Sequence, residues 1–416
     1  MTMSAPHSTA ARPRSILLAD CDVYYVQLAR IADPEGAGRA SLLIVGGSAE
    51  SRGVVCSATY EVRKYGVRSG MPISRAVRLC PQALCVPVPR ELCSRKSEEI
   101  VAVLQRFAPD VESASPDEAY LDLTTTMESI YRGRSLEDVA HTVRTAVESE
   151  TGIRISMGGG TNKLVAKLAV ELAKPRAGTG GNGVYVVAPG DEAGFVARLT
   201  LAELPGIGPK FQEQLARCGW RDVKDVLDVP REELERRLGQ RSADWLHDIT
   251  RGISSSVVEQ REEPKSMGRE DTFPGDVMDD ATLERELLQL IDRVTSDLRD
   301  AGYAARTVTV KLKDTDFTLR SAARTLDEPV TTYHAMAPVA KQLLRQLRKK
   351  RRVAARLIGV SASHLEHIGA ESQLALFGEE GAGRETDRQR DLAAAMDSVR
   401  SRYGREAIKL GVPPRE

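Results

Sequence analysis

The sequence predicts a multidomain α+β protein. The chain has 416 residues, enough for about three domains at roughly 150 residues each. Its first half mixes short apolar runs with amphipathic helical stretches, the signature of strands and helices packed in layers. From about residue 189 the pattern turns to short helices with tight turns, and from about residue 281 long helices and alternating strands return, with no internal repeat.

Taken in order, Ser15 to Ala19 reads Ser-Ile-Leu-Leu-Ala and ends at Asp20, which predicts a buried strand delivering acidic residues at its end. Residues from about 41 to 60 read as strands around a turn at Gly46-Gly47. A helix is expected near 94–107, a strand over Ala119–Leu123, a helix over Leu136–Glu150 and a strand over Ile153–Gly158. Asn162–Ala173 is a further helix, stopped by Pro175. Ser254 to Lys265 is polar and charged and reads as a linker. Ala281–Arg299 predicts a long helix. Along Thr307–Lys313, Val308, Val310 and Leu312 fall on one strand face, and Thr309, Lys311 and Lys313 on the other. Asp316–Arg320 is expected to be its hairpin partner, and a basic helix follows near 337–352. After Ile368 the chain becomes rich in Gly and Glu, so the ordered core is expected to end there. Leu392, Met396, Val399 and Tyr403 nevertheless recur at helical spacing.

Composition narrows the class. With 41% hydrophobic and 28% charged residues, the chain is that of a soluble globular protein. Net charge is zero, yet Tyr303 to Arg356 holds 13 Lys/Arg against 4 Asp/Glu. That surplus reads either as a surface facing a polyanion or as a solvated helix face. The six cysteines form no CxxC pair, which argues against a zinc site and for a reduced, cytosolic protein. No apolar run approaches the ~18 residues of a membrane span. Met1 to Arg14 reads as a loose polar tail and not as a signal peptide. A soluble, cytoplasmic protein is expected.

Two acidic clusters carry chemistry. One is Asp20-Cys21-Asp22; the other is Ser115-Pro116-Asp117-Glu118-Ala119-Tyr120-Leu121-Asp122. Carboxylates at the ends of buried strands are costly unless they meet positive charge. Hard divalent cations such as Mg²⁺ take oxygen ligands and share them with substrate phosphates. Ser-Pro-Asp-Glu is also a good helix start, with Ser as N-cap and Pro at the first position. The alternation of Ala119 to Thr124 argues instead for a strand.

The second cluster resembles the signature of the Y family of DNA polymerases, the translesion class that includes bacterial polymerase IV. Asp20-Cys21-Asp22-Val23-Tyr24-Tyr25 resembles that family's first motif. The run Arg52 to Pro72, including Ser57-Ala58-Thr59-Tyr60-Glu61-Val62-Arg63, resembles its fingers motif. Asn162 to Lys167 and Leu172-Ala173-Lys174-Pro175 resemble its last palm motif. The four stand in the family's order, and the similarity covers about residues 15 to 365.

The resemblance implies a right-hand polymerase: a ferredoxin-like palm (15–22 and 90–187), small fingers (23–89), a helix-hairpin-helix thumb (188–253), the linker (254–265), an α/β little finger (266–366) and a tail (367–416), after a disordered segment 1–14. Asp20, Asp117 and Glu118, with the backbone carbonyl of Cys21, would hold two Mg²⁺ ions, while Asp22 is structural. Tyr25 would be the steric gate against a ribose 2′-hydroxyl, with Tyr24 beside it at the nucleotide site and packed toward the core. Ser57, Tyr60, Arg63 and Lys174 match the triphosphate ligands, for which a guanidinium fork and an ammonium point charge suit. By themselves, Arg63-Lys64 is a surface pair and Lys174 an ordinary helix end. Val54 and Cys56 would help roof the new base pair.

Leu204-Pro205-Gly206-Ile207-Gly208-Pro209-Lys210 looks like a helix-hairpin-helix, whose Gly206, Gly208 and Lys210 would meet a DNA phosphate; Pro-Gly-x-Gly also makes plain turns. Arg306, Lys311, Lys313, Arg320 and Arg324 would point at duplex phosphates, which gives affinity without sequence preference. Gln373-Leu374-Ala375-Leu376-Phe377 resembles the motif that binds the bacterial sliding clamp, the β subunit. The partners implied are thus primer–template DNA, a dNTP and the clamp, and the protein would be a monomer without proofreading, acting in damage tolerance. Val26-Gln27-Leu28-Ala29-Arg30 departs from the family pattern, lacking its Glu, and puts the local packing in question. The rival readings are an inactive accessory subunit that binds DNA and clamp, a two-metal nuclease, and a plain DNA-binding module.

Overall fold

The computed structural model describes residues 13–48, 51–175, 181–259, 263–369 and 384–408. The chain divides into two compact units, Met1–Arg261 and Glu262–Glu416.

Among its described residues the first unit has, in chain order, strands β1 (Ile16–Cys21), β2 (Leu43–Gly46), β3 (Ser57–Ala58), β4 (Leu84–Pro87), β5 (Asp110–Ser115), β6 (Glu118–Asp122), β7 (Ile155–Gly160) and β8 (Val184–Val186). Five of them form one sheet in the order β5-β6-β1-β7-β8. β1 is antiparallel to both neighbours and all six of its residues are buried, which the apolar run Ile16–Ala19 favours and which takes the Asp20 carboxylate out of water. The helix Lys163–Ala173, called here the site helix, packs on β7 so closely that a Cβ on Gly158 would sit 2.2 Å from the Ala166 carbonyl oxygen. Asn162 caps its start by accepting from the Val165 amide at 3.0 Å, and Lys174 leaves the helix with ψ 132°, as a residue before proline must.

The small sheet runs β3-β2-β4. The turn expected at Gly46-Gly47 begins later, since Gly46 is the last residue of β2; β2 pairs with β3 at Val45–Ser57 and in parallel with β4. The segment expected as a linker, 254–265, contains the boundary between the two units, and its first residues are strapped to the five-stranded sheet. Val258 is buried with Ile16, Leu18, Ala166 and Val170, the Ser255 carbonyl accepts from the Lys163 amide, and the Ser256 carbonyl accepts from Arg14.

The second unit holds β9 (Ser266–Val277), β10 (Tyr303–Asp314), β11 (Leu319–Val330) and β12 (Ala355–His367) in one antiparallel sheet, ordered β11-β10-β12-β9. The helices Asp280–Asp300 and Tyr333–Lys350 bury their apolar stripes on one face, with Leu287, Ile291, Leu343 and Leu347 against Val308, Val310 and Leu312. The hairpin partner of β10 therefore starts three residues later than expected and runs to Val330; Asp316 and Phe317 lie in the turn instead, the latter at φ 67°. Order also does not end at Ile368. A C-terminal helix, Asp387–Tyr403, packs on this unit. Its Arg400 grips Asp292 at 2.8 and 3.1 Å, Asp397 accepts two bonds from Arg299, and Met396 is buried.

Candidate active site

The site grows from the centre of the five-stranded sheet. β1 and β6 pair so that Asp20 lies directly opposite Glu118, and the Cys21 amide donates to the Asp117 carbonyl at 2.9 Å. Ser115 pairs with Glu118, leaving Pro116 and Asp117 as a two-residue turn. This settles the two readings of Ser-Pro-Asp-Glu. It is a hairpin turn with Pro at its second position, where a fixed φ suits, and not a helix cap.

These carboxylates sit low in dielectric, and cations meet them. Asp20 is 3% exposed, and its Oδ2 lies 2.9 Å from Lys174 Nζ and 3.4 Å from Lys167 Nζ. Lys167 also donates to Glu118, and Lys174 to Glu171. Burial raises the Glu118 carboxyl above its usual range, although the Lys167 contact opposes this. Burial alone would depress the Lys174 ammonium, but Asp20 and Glu171 outweigh it and hold its pKa above the ordinary lysine value.

An open cavity of about 240 Å³ lies above this end of the sheet. Asp20, Cys21, Asp117 and Glu118 form its floor; Tyr25, Cys56, Ser57, Tyr60 and Arg63 come from the other side, with Lys174 and Glu171 beside them. The structure thus brings together every residue expected at the metal and nucleotide positions. Ser57 is fixed on β3, and Tyr60 and Arg63 share the single turn Tyr60–Arg63, where the guanidinium stands 5.3 Å from the ring centre and donates to the Ala58 carbonyl at 3.1 Å. Tyr24 also borders the cavity but is 2% exposed and spends its hydroxyl on the Cys93 carbonyl at 2.7 Å. Tyr25 is half-buried, with its ring tilted 58° against that of Tyr24. Val23, between the acidic motif and these rings, is held at φ 44°, an unusual conformation for a β-branched residue.

The residues fit a hard divalent cation in kind: the donors are oxygens, two of the carboxylates share one positive charge, and the cavity leaves room for phosphates and water. Among the described residues, however, no three His, Cys, Asp or Glu side chains converge closely enough to hold a metal by themselves. Mg²⁺ commonly completes its shell with substrate oxygens, so an incomplete protein shell is in keeping.

Asp22 is not in the cavity lining. It is 5% exposed, accepts from the Ser156 hydroxyl at 2.8 Å, and burial raises its pKa. Gln27 resolves the atypical segment. Its amide donates to the carbonyls of Asp22 and Arg154 at 2.6 and 2.9 Å and accepts from the Arg154 amide at 2.8 Å. Sequence reasoning assigned no role to Lys167, Glu171 or Ser69. The spacing Lys163, Lys167, Glu171, Lys174 places four charges on one helix face, and that was the available signal for the first two; Ser69 carries none.

Gly206 takes φ 91°, and a Cβ there would meet the Trp245 ring at 2.9 Å, so this glycine serves its turn. Gly208 is the exposed N-cap of the helix Pro209–Arg217, and Lys210 is exposed on its first turn. The five basic residues expected on one duplex do not share one face. Lys311 and Lys313 lie on the sheet face away from the helices. Arg320 and Arg324 pair opposite Leu312 and Val308, and cross-strand partners share a face. Arg320 is accordingly bound to the fully buried Asp314 at 2.7 and 2.9 Å, and Arg324 donates to Gln342 at 3.1 Å. Arg306 donates to Glu366 and to the Asp327 carbonyl. Gln373, Leu374, Leu376 and Phe377 lie outside the described residues. No helix among the described residues is long and apolar enough to cross a membrane.

Comparison with known proteins gives these features a family. Residues 19–171 match the model of the impB/mucB/samB family, residues 264–376 its C-terminal domain, and residues 202–254 a thumb domain described from DNA polymerase-iota. A DNA polymerase IV of Dehalococcoides mccartyi is 34% identical over 398 residues, 96% of this chain and 97% of its own. A DNA polymerase IV of Methanoculleus marisnigri is 38% identical over 356 residues, 85% of this chain and 95% of its own. Among solved structures, a Y-family DNA polymerase chimera superimposes with a TM-score of 0.73 at 27% identity, covering 84% of this chain and 99% of that one. An insertion ternary complex of Dbh DNA polymerase gives 0.59 at 27%, covering 85% and 100%. The chain belongs to the Y family of DNA-directed DNA polymerases, the translesion class. Within that family its likeness is to the DNA polymerase IV group.

Proposed function

We propose that the cavity floored by Asp20, Asp117 and Glu118 is where a dNTP is joined to a primer 3′-hydroxyl opposite a template base. The observation that carries the reading is the meeting, in one cavity, of these carboxylates with Tyr25, Ser57, Tyr60, Arg63 and Lys174. Arg63 and Lys174 hold the triphosphate by charge-assisted contacts, and Ser57 and Tyr60 add hydroxyl donors. Tyr25 lies under the sugar and excludes a 2′-hydroxyl. Asp20, Asp117 and Glu118, with the Cys21 carbonyl, would hold two Mg²⁺ ions. Bound there, the metal supplies charge neutralisation on the phosphates and activation of the primer hydroxyl. The hydroxyl attacks the α-phosphate in line, and Arg63 and Lys174 stabilise the departing pyrophosphate. Copying is of low fidelity, without proofreading, and serves damage tolerance in the cytoplasm.

Duplex phosphates are met by the Gly208–Lys210 turn and by Arg306, Lys311 and Lys313 on the open sheet face, while Arg320 and Arg324 have structural work. The segment Gln373–Phe377 engages a sliding clamp, and the protein acts as a monomer. The test is primer extension by the full chain with Mg²⁺ and dNTPs, beside Asp117→Ala/Glu118→Ala. Distributive extension by the wild type, lost in the variant, is expected. A folded wild type that binds primer–template and extends nothing would leave an accessory subunit of the same fold.

A further inference from the structure

Of the two ammonium groups that meet the floor carboxylates, Lys174 lines the cavity and Lys167 does not, yet it is Lys167 that touches both facing carboxylates. Its Nζ is 3.4 Å from Asp20 Oδ2 and also donates to Glu118, and its side chain is only one-quarter exposed. Asp20 and Glu118 are cross-strand partners, so the ladder fixes them side by side whatever their charges. Like charges opposed in that way repel, and both are largely out of water. Lys167 offsets this repulsion. Nor can it withdraw as a body, because the site helix is pressed onto β7 at Gly158; only its flexible stem can move.

The same position works against a divalent cation. Oxygens shared with an ammonium are less available as ligands, and a fixed positive charge a few ångströms away raises the electrostatic cost of adding another. An incoming triphosphate reverses this balance, since it brings several negative charges and further oxygen ligands. We propose that Lys167 is a positioning residue that serves as the resident counter-ion of Asp20 and Glu118, and that it keeps metal affinity low until nucleotide arrives. The inference rests on the proposed metal site and goes beyond it by assigning the order of loading.

The experiment is a Mn²⁺ titration of the full chain followed by the electron paramagnetic resonance of free Mn²⁺, without and with a non-hydrolysable dNTP analogue. Lys167→Met is expected to bind Mn²⁺ about tenfold tighter than wild type without nucleotide, the worth of one modest polar contact. With nucleotide the difference is expected to shrink. Lys167→Arg keeps the charge and is expected to keep the weak affinity. In EDTA, Lys167→Met is expected to melt lower than wild type and to gain more from added Mg²⁺. Lys167→Gln serves the same comparison if the methionine variant does not fold. Unchanged or weaker Mn²⁺ binding by a folded Lys167→Met or Lys167→Gln overturns the proposal. Asp20→Asn/Glu118→Gln separates the two levels: if Mn²⁺ binding survives in it, the metal site itself is misplaced, whereas its loss together with an unchanged Lys167→Met removes only the role of Lys167.

Discussion

Asp20 and Glu118 stand directly opposite each other across the β1–β6 ladder, with Lys167 reaching both. Backbone pairing therefore enforces a carboxylate pair that side-chain electrostatics alone would push apart. Exchanging either for its amide keeps size and shape but removes the charge a metal needs. Asp20→Asn and Glu118→Gln are each expected to lower single-turnover dNTP incorporation on the order of 10³-fold, the scale of losing one essential electrostatic group. The check is rapid-quench kinetics at saturating DNA, with circular dichroism confirming the fold.

Tyr25 is the half-buried member of the aromatic pair, while Tyr24 is locked to the Cys93 carbonyl. Under the proposed reading, Tyr25 is the ring that meets the sugar. Tyr25→Ala is expected to reduce discrimination against ribonucleotides about a hundredfold, the scale on which a pocket rejects one added hydroxyl. Tyr24→Phe is expected to leave discrimination unchanged. Ratios of kcat/KM for rNTP and dNTP insertion decide it.

Gln27 satisfies two carbonyls and one amide while 8% exposed. Gln27→Ala leaves the Asp22 carbonyl and the Arg154 amide without these bonds, while the Arg154 carbonyl still accepts from the Asp22 amide at 3.0 Å, and is expected to cost about 1–3 kcal/mol. Urea unfolding of the full chain, followed by a probe in the first unit, measures it. A change below about 0.5 kcal/mol, the range of ordinary surface substitutions, would contradict a fastening role.

Arg400 is 9% exposed and holds Asp292 through two bonds, while Glu385 accepts from the amides of Thr331 and Thr332 at the start of the Tyr333–Lys350 helix. Arg400→Ala is expected to raise hydrogen exchange across Asp387–Tyr403 at least about tenfold, since a largely buried ion pair loses one partner. Exchange no faster than in wild type would show that the C-terminal helix is held by its other contacts.

Much of the site was legible because its parts are local in sequence. An apolar run ending in Asp20 and an alternating run starting at Glu118 specify two strands with carboxylates at the same end, and the register then needs only one hairpin turn. Val308, Val310 and Leu312 were placed on the buried face by period alone, and they are fully buried. What was not legible depends on long-range pairing. Arg320 and Arg324 looked equivalent to Lys311 and Lys313 until the β10–β11 register put the arginines on the helix-facing side. The strap at Val258 and the docking of Arg400 rest on contacts with residues far away in the chain, Ile16 and Leu18 for the one and Asp292 for the other. Polar composition marked both segments as loose; the helical spacing of Leu392, Met396, Val399 and Tyr403 pointed to the C-terminal helix but not to the surface it docks on, and the Val258 segment carries no periodic signal. Lys167 was visible within a motif, but its contact with two carboxylates needed the close packing of the site helix on β7.

The most direct measurement is the anomalous difference map of a crystal of the full chain with primer–template DNA, a non-hydrolysable dNTP and Mn²⁺. The expected result is two Mn²⁺ peaks among Asp20, Asp117 and Glu118, with the triphosphate against Arg63 and Lys174. A nucleotide bound with no Mn²⁺ at these carboxylates, or Mn²⁺ bound only elsewhere, would contradict the assignment of this cavity as the site of phosphoryl transfer.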